Sequence, residues 1–174
     1  MKVIKTKFFG LYIIQNKKFD DNRGSFMEIF RYKKLKKNFP FIIFSKSKKN
    51  VIRGLHIQTK NPQGKFLTVL KGEILDVVVD LRKKSKTFGK VFKIKLSEKN
   101  CKSIYIPEGF AHGFCSTANE SLLLYNCTNY RSPNYEIGIR YNDPDLNIKW
   151  TTNKPIVSKK DNNSISFREY LEKF

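Results

Sequence analysis

The chain holds only two histidines, His56 and His112. Imidazole is the side chain whose ordinary pKa lies between about pH 5 and 8, so a scarce histidine in a sheltered place is a candidate proton-transfer group. His56 lies in NVIRGLHIQ, three positions after Arg53, and His112 lies in IPEGFAHGF. Neither segment reads as solvated surface. A third candidate is Asp76, set among Val and Leu in GEILDVVVDL. A buried carboxylate is costly unless it is paired, so its presence there points to a polar site inside the fold. The three cysteines, Cys101, Cys115 and Cys127, cannot all pair and none sits in a C-x-x-C. Free thiols in a reducing cytoplasm are the expectation. Two histidines and no cysteine pair argue against a His-rich metal centre, so no metal is expected.

These groups must be positioned mainly by strands. In Gly72–Leu81 the odd positions Leu75, Val77, Val79 and Leu81 are apolar, and the even ones are Ile74, Asp76, Val78 and Asp80. A period of two with β-branched residues means strand. Phe66–Leu70, Lys90–Leu96, Ser103–Ile106, Gly113–Ser116, Ser121–Tyr130 and Ile137–Tyr141 read the same way. Turn residues separate them, as in Asn61-Pro62-Gln63-Gly64 and Pro107-Glu108-Gly109. Short strands at this spacing predict an all-β sandwich or barrel. Two helices are predicted, a basic one over Phe30–Phe39 stopped by Pro40 and a C-terminal one. The second has Phe167, Tyr170, Leu171 and Phe174 on one face, with Ser166 and Glu169 as a capping box.

With 174 residues and 40% hydrophobic content, the chain reads as one folded domain over residues 1–174. No apolar stretch is long enough for a membrane helix, no signal peptide is read, and no membrane partner is expected. Lys and Arg number 35 against 15 Asp and Glu, a net charge of +20. A polyanion partner would fit that number. The lysines, however, are scattered in short runs and no nucleic-acid motif is present, so no nucleic-acid partner is expected.

Pro107-Glu108-Gly109-Phe110-Ala111-His112 has the spacing P-x-G-x-x-H and resembles the second half-motif of the cupin superfamily, a small jelly-roll barrel. Metal-binding cupins carry H-x-H followed by a Glu in the first half-motif, and here that half offers one histidine only. A longer ordered set resembles the dTDP-4-dehydrorhamnose 3,5-epimerase family. It comprises RGSFMEIFR (Arg23–Arg31), KSKKNVIRGLHIQ (Lys46–Gln58), QGKFLTVLKGEILDVVVDLRKKSKTFGK (Gln63–Lys90), LSEKN (Leu96–Asn100), IPEGFAHGF (Ile106–Phe114), LLYNCTNYRSP (Leu123–Pro133), GIRYNDPDLNIKW (Gly138–Trp150) and SKKD (Ser158–Asp161). The resemblance implies an all-β cupin jelly roll with short peripheral helices, including the C-terminal one.

It also implies cofactor-free epimerisation of a nucleotide-linked 4-keto-6-deoxy sugar in surface-polysaccharide biosynthesis. The C4 ketone acidifies the C3 and C5 protons by delocalising the carbanion as an enolate. A base on one face, an acid on the other and positive charge at O4 then suffice. By position, His56 matches the base, Asp161 the carboxylate that orients it, Lys65 the cation at the enolate oxygen and Tyr125 the acid. His112 and Asp76 match a second His–carboxylate pair. Arg23 and Arg53 match diphosphate contacts, and Phe26 and Tyr130 match aromatics around the base. Glu28, Gln58 and Lys160 match further ligand-lining positions. In the family the Arg23–Glu28 segment comes from the neighbouring subunit, which implies a homodimer sharing its nucleotide sites.

Two departures bear on the nucleotide. Phe41–Phe44 replace a polar Gln-x-Asn stretch, and Arg131 replaces a second tyrosine. They imply an altered base readout, so GDP and a heptose stand beside dTDP and a hexose. Further alternatives are a C3-only epimerase, a 3,4-ketoisomerase on the same barrel, and a non-catalytic cupin binding module.

Overall fold

The computed structural model describes residues 1–174. The strands are β1 (Lys2–Lys5), β2 (Tyr12–Gln15), β3 (Lys18–Asp21), β4 (Gly24–Met27), β5 (Phe41–Lys48), β6 (Ile52–Gln58), β7 (Lys65–Lys71), β8 (Glu73–Asp80), β9 (Val91–Ser97), β10 (Lys102–Ile106), β11 (Phe110–Ser116), β12 (Glu120–Cys127) and β13 (Glu136–Gly138). The helices are α1 (Tyr32–Leu35), α2 (Lys159–Asn162) and α3 (Phe167–Lys173). A six-stranded sheet has the order β1-β2-β10-β7-β12-β5, and a five-stranded sheet has the order β13-β6-β11-β8-β9. Neighbouring strands are antiparallel throughout. The result is the all-β architecture expected from the strand spacing, in the jelly-roll form that the family resemblance implies.

The period-two pattern of β8 explains where the core sits. Its even positions Ile74 and Val78 pack with Leu67, Val69, Phe110, Phe114 and Leu123, between the two sheets. Its odd positions Leu75, Val77, Val79 and Leu81 pack with Ile139, Leu146, Ile148 and Tyr170, contributed by the C-terminal third of the chain. Both faces of the strand are therefore buried, which its composition of Val, Leu and Ile allows. The polar members of the even face, Asp76 and Asp80, are 0% exposed.

β6 and β11 approach unusually closely. Gly54 has φ +104°, and a Cβ there would stand 2.5 Å from the His112 carbonyl oxygen. A Cβ on Gly113 would stand 2.7 Å from the carbonyl oxygen of Arg53. Only glycines tolerate this pinch. The pairing register shifts between His112 and Phe114, and His56 is the direct cross-strand partner of His112. Direct partners project to the same face of a sheet, so both imidazoles are set side by side on the inner face.

Several sequence expectations are corrected. Helix α1 spans four residues instead of Phe30–Phe39, and it buries none of them. Lys36 turns left-handed at its end, and the flanking Phe30 and Phe39 pack their rings on Phe66 at 5.6 and 5.9 Å. Burial of those aromatics wins over local helix propensity. The strand expected over Ser121–Tyr130 stops at Cys127, and the one over Ile137–Tyr141 is reduced to β13. Strands β1 to β5 were not expected. The C-terminal helix and its capping box are present, with Ser166 accepting from the Glu169 N–H.

Asp80 closes one end of the barrel. It accepts from Arg82, Ser85 and Thr87 at 2.6–2.8 Å. Burial alone would raise its pKa, but these donors outweigh it and bring the carboxyl down from 3.8 to about 2. A depressed carboxyl stabilises the fold above its unfolded pKa, and that contribution is lost as pH falls through the folded value. After discounting for solvent screening the effect is on the order of 1–2 kcal/mol. Urea unfolding at pH 7 should therefore show Asp80→Asn destabilised by about that amount. The gap should narrow between about pH 4 and pH 2 as the wild-type carboxylate protonates.

Candidate active site

One cavity of about 790 Å³ opens between the two sheets, and its wall includes His56, Lys65, His112, Tyr125, Arg53 and Asp161. His56 comes from β6, in the five-stranded sheet. Lys65 and Tyr125 come from β7 and β12, in the six-stranded sheet. The histidine thus lies across the cavity from the phenol and the ammonium.

Asp161 arrives from α2. Ser158 caps that helix by accepting from the Asp161 N–H at 3.0 Å, which places the aspartate in its first turn. Its Oδ1 lies 2.7 Å from His56 Nε2, and its Oδ2 accepts from the Gly54 N–H at 3.2 Å. Burial would raise this carboxyl, but the hydrogen bond and charge of His56, with Gly54 and Ser158, hold it below the ordinary range. An ionised carboxylate can only accept, so Nε2 donates to it, and in a neutral imidazole Nδ1 is then the nitrogen with a free lone pair. Such an arrangement can act as a base held in place by an orienting carboxylate.

Lys65 pairs in register with Cys127, two positions along the inner face from Tyr125. Burial is the largest influence on its ammonium and lowers its pKa, opposed by Cys127, Glu136 and Asp76. No carboxylate lies within salt-bridge distance of it. Tyr125 is 8% exposed, and its hydroxyl lies 3.2 Å from Ser45 Oγ. Burial pushes this phenol well above the usual tyrosine range, Ser45 and Arg53 pull it down, and Asp76 adds to the rise. It therefore stays protonated at neutral pH. His112 Nε2 lies 2.7 Å from Asp76 Oδ2, with both groups buried, and the His112 ring packs edge-on to Tyr125 at 6.5 Å.

The mouth is governed by a residue that the sequence did not single out. Glu136, on β13, accepts from Arg131 at 3.1 and 3.3 Å and from Lys160. Burial would raise its carboxyl, but Arg131, Lys160 and the nearby His56 outweigh it and set the pKa at about 2. Its acidic position opposite two basic ones appears only once β13, the loop after β12 and α2 are assembled. Ser45 was missed for the same reason. Asp161 carried a readable signal, the Ser158-x-x-Asp161 cap.

The other expected ligand residues are dispersed within the single chain. Arg53 lines the cavity and is pinned by Ser47 Oγ at 3.0 Å and the Lys46 carbonyl at 3.1 Å. Gln58 is turned to the loop, donating to the Asn61 carbonyl at 2.7 Å and accepting from the Ser132 N–H at 2.9 Å. Tyr130 stands outside the main cavity, against Phe41 at 5.8 Å. Arg23, Phe26 and Glu28 lie on or just beyond the β3–β4 hairpin, away from the cavity. Arg23 pairs with Asp21 at 2.7 Å, and Glu28 pairs with Arg31 at 2.6 Å.

A sequence model of the dTDP-4-dehydrorhamnose 3,5-epimerase family matches residues 5–169. The chain belongs to that family. It is 42% identical over 176 residues to the dTDP-4-dehydrorhamnose 3,5-epimerase of Methanothermobacter thermautotrophicus, covering 97% of this chain and 95% of that one. A solved dTDP-6-deoxy-D-glucose-3,5-epimerase from Legionella pneumophila, in complex with dTDP-4-keto-L-rhamnose, superposes with a TM-score of 0.90 at 39% identity. The match covers 95% of this chain and 92% of that one. A dTDP-4-dehydrorhamnose 3-epimerase from Streptomyces niveus is 36% identical over 126 residues, 72% of this chain and 61% of its own. As a member of the family, the chain is an isomerase of the sugar-nucleotide epimerase kind.

The lowered pKa of Lys65 is directly measurable. After reductive methylation with ¹³C-formaldehyde, an NMR titration should show one lysine losing its proton below the others. That signal should be missing from Lys65→Arg.

Proposed function

We propose that this epimerase inverts C3 and C5 of a dTDP-linked 4-keto-6-deoxyhexose, on a route to a rhamnose-type sugar. The observation that carries the reading is the placement of a carboxylate-held imidazole on one sheet and a protonated phenol on the other, with an ion-pair-free ammonium beside the phenol. His56 takes the proton from the carbon next to the ketone. Lys65 faces O4 and stabilises the enolate, and the low-polarity wall strengthens that attraction. Tyr125 returns a proton to the opposite face, which inverts the centre. The names of the relatives from Methanothermobacter and Legionella support the dTDP sugar and the double inversion.

The diphosphate falls to the cations at the mouth, Arg53, Arg131 and Lys160. The β3–β4 hairpin pairs with no other strand of its own chain and leaves Phe26 70% exposed. We assign it to the cavity of a second copy, where Arg23, Phe26 and Glu28 complete the nucleotide site. The 3-epimerase relative from Streptomyces niveus favours a second reading, inversion at C3 alone.

Deuterium uptake from heavy water, followed by NMR at each carbon, separates these readings. Uptake with inversion at both centres supports double epimerisation, and uptake at C3 alone establishes the second reading. A carbonyl moved to C3 would reveal a ketoisomerase, and no uptake would leave a binding module. His56→Ala should lower exchange at both carbons by roughly 10²–10⁴-fold. Tyr125→Phe should slow inversion more than proton loss.

The rate should also fall on the alkaline side as Lys65 loses its charge, at a pH below the ordinary lysine range. Lys65→Arg, which stays charged, should shift or remove that limb. Light scattering should give about twice the 20.5 kDa chain mass. Phe26→Ala should raise KM more than it lowers kcat.

A further inference from the structure

Each inversion in the proposed mechanism leaves the two sheets out of balance. His56 has gained a proton from one face of the ring, and Tyr125 has lost one to the other. Before the next centre is inverted, the imidazolium must shed its proton and the phenolate must regain one. His56 is half-buried at the open cavity and can shed its proton to water there. Tyr125 is buried, and on the same mechanism the sugar ring stands between it and the imidazole. Its new proton must therefore come along the wall of its own sheet.

What surrounds the phenol narrows that route. Its hydroxyl makes one hydrogen bond, to Ser45 Oγ at 3.2 Å, and Ser45 Oγ makes no other. His112 packs edge-on to the phenol ring, but its Nε2 is bonded to Asp76 and both groups are buried. Lys65 is needed at O4 with its charge kept. The strand register explains the contact with Ser45. Tyr125 pairs directly with Ile43, so Ser45 is its diagonal neighbour on the inner face of β5. β5 is the edge strand of its sheet, and Ser45 is half-buried in the cavity wall. Of the other inner residues of β5, Phe41 and Ile43 are apolar, and Ser47 is buried against Arg53 Nε at 3.0 Å.

A hydroxyl both donates and accepts, so it can pass a proton on and end as it began. Ser45 also pulls the phenol pKa down against burial, which favours the phenolate that a transfer leaves behind. We propose that Ser45 is the relay that reprotonates Tyr125 between inversions. Its Oγ–H passes to the phenolate oxygen as Oγ takes a proton from a cavity water. One O–H bond of the water breaks, the serine exchanges one O–H for another, and the phenol O–H re-forms. The hydroxide left behind is neutralised by the proton that His56 releases, so nothing is consumed. Ser45 thus acts through Tyr125, as a positioning residue for its proton. The inference rests on the roles given above to His56 and Tyr125.

Rapid-quench kinetics on the full-length protein test it, with a dTDP-linked 4-keto-6-deoxyhexose in excess and inverted carbons counted by NMR. Ser45→Ala should invert one centre per subunit at close to the wild-type rate, using the proton that Tyr125 already holds. It should then continue roughly 10²-fold more slowly than wild type. Ser45→Thr, which keeps the hydroxyl, should restore the wild-type steady rate. A serine that only orients the phenol would slow the first inversion as much as the later ones, and that result would overturn the relay. So would a Ser45→Ala enzyme that keeps the wild-type steady rate, or a Ser45→Thr enzyme as slow as Ser45→Ala. A wild-type protein that inverts neither centre would overturn the epimerase reading itself. The relay alone fails when wild type inverts and the slow phase of Ser45→Ala is missing.

Discussion

A 2.7 Å hydrogen bond between His56 and Asp161 holds the site together. It joins β6, in the middle of the chain, to α2, 105 positions later. Everything between must fold correctly for the two to meet. Gly54 and Gly113 let β6 and β11 pinch together, and the Gly54 N–H then points at the free oxygen of Asp161. The Ser158 cap turns the aspartate inward from α2. The carboxylate would be expensive to bury alone, and these donors offset that cost. The imidazole, in turn, receives a fixed tautomer, which a proton-transfer group needs before it needs any particular pKa.

The second pair, His112 and Asp76, shows how burial divides two similar dyads. His56 is half-buried at the cavity, whereas His112 and Asp76 are 5% and 0% exposed. Asp76 Oδ1 has no hydrogen-bond partner. Its charge acts on both cavity groups of the opposite sheet, raising the pKa of Lys65 against desolvation and adding to the burial that raises the Tyr125 phenol. A negative centre behind the wall thus favours a charged Lys65 and a neutral Tyr125, the states that the proposed mechanism uses. That is a positioning role carried by field instead of by contact.

What could be read in advance follows the range of the forces involved. The period-two pattern of β8 and the capping box at Ser166 and Glu169 are local, and both stood in the sequence as they stand in the fold. His56, Asp161, Lys65 and Tyr125 were legible by resemblance, and they converge on one cavity. Glu136 was not legible, because its partners Arg131 and Lys160 come from a loop and a helix that only the tertiary fold brings to β13. The same holds for Ser45 on Tyr125. The helix expected over Phe30–Phe39 is cut to four residues because Phe30 and Phe39 find a better surface on Phe66 and Tyr105. Strands β1 to β5 were missed because their sequences alternate poorly and three of them are largely exposed.

The net charge of +20 is carried by basic residues scattered along the chain, and only a few of them line the cavity. Scattered lysines are screened beyond about 8–10 Å at physiological salt, so they attract any polyanion weakly and without geometry. Arg53, Arg131 and Lys160 differ because each is held. Arg53 is pinned by Ser47 and the Lys46 carbonyl, and the other two by a single glutamate. Held cations lose less conformational freedom when a diphosphate arrives, and so return more of their attraction as affinity. The restraint also has a chemical consequence. Glu136 neutralises one of the two charges it organises and keeps them near His56 without an excess of positive field, which would oppose the imidazolium that the proposed mechanism requires. On the proposed mechanism, that balance lets a cationic mouth seat a diphosphate beside a histidine that must accept a proton.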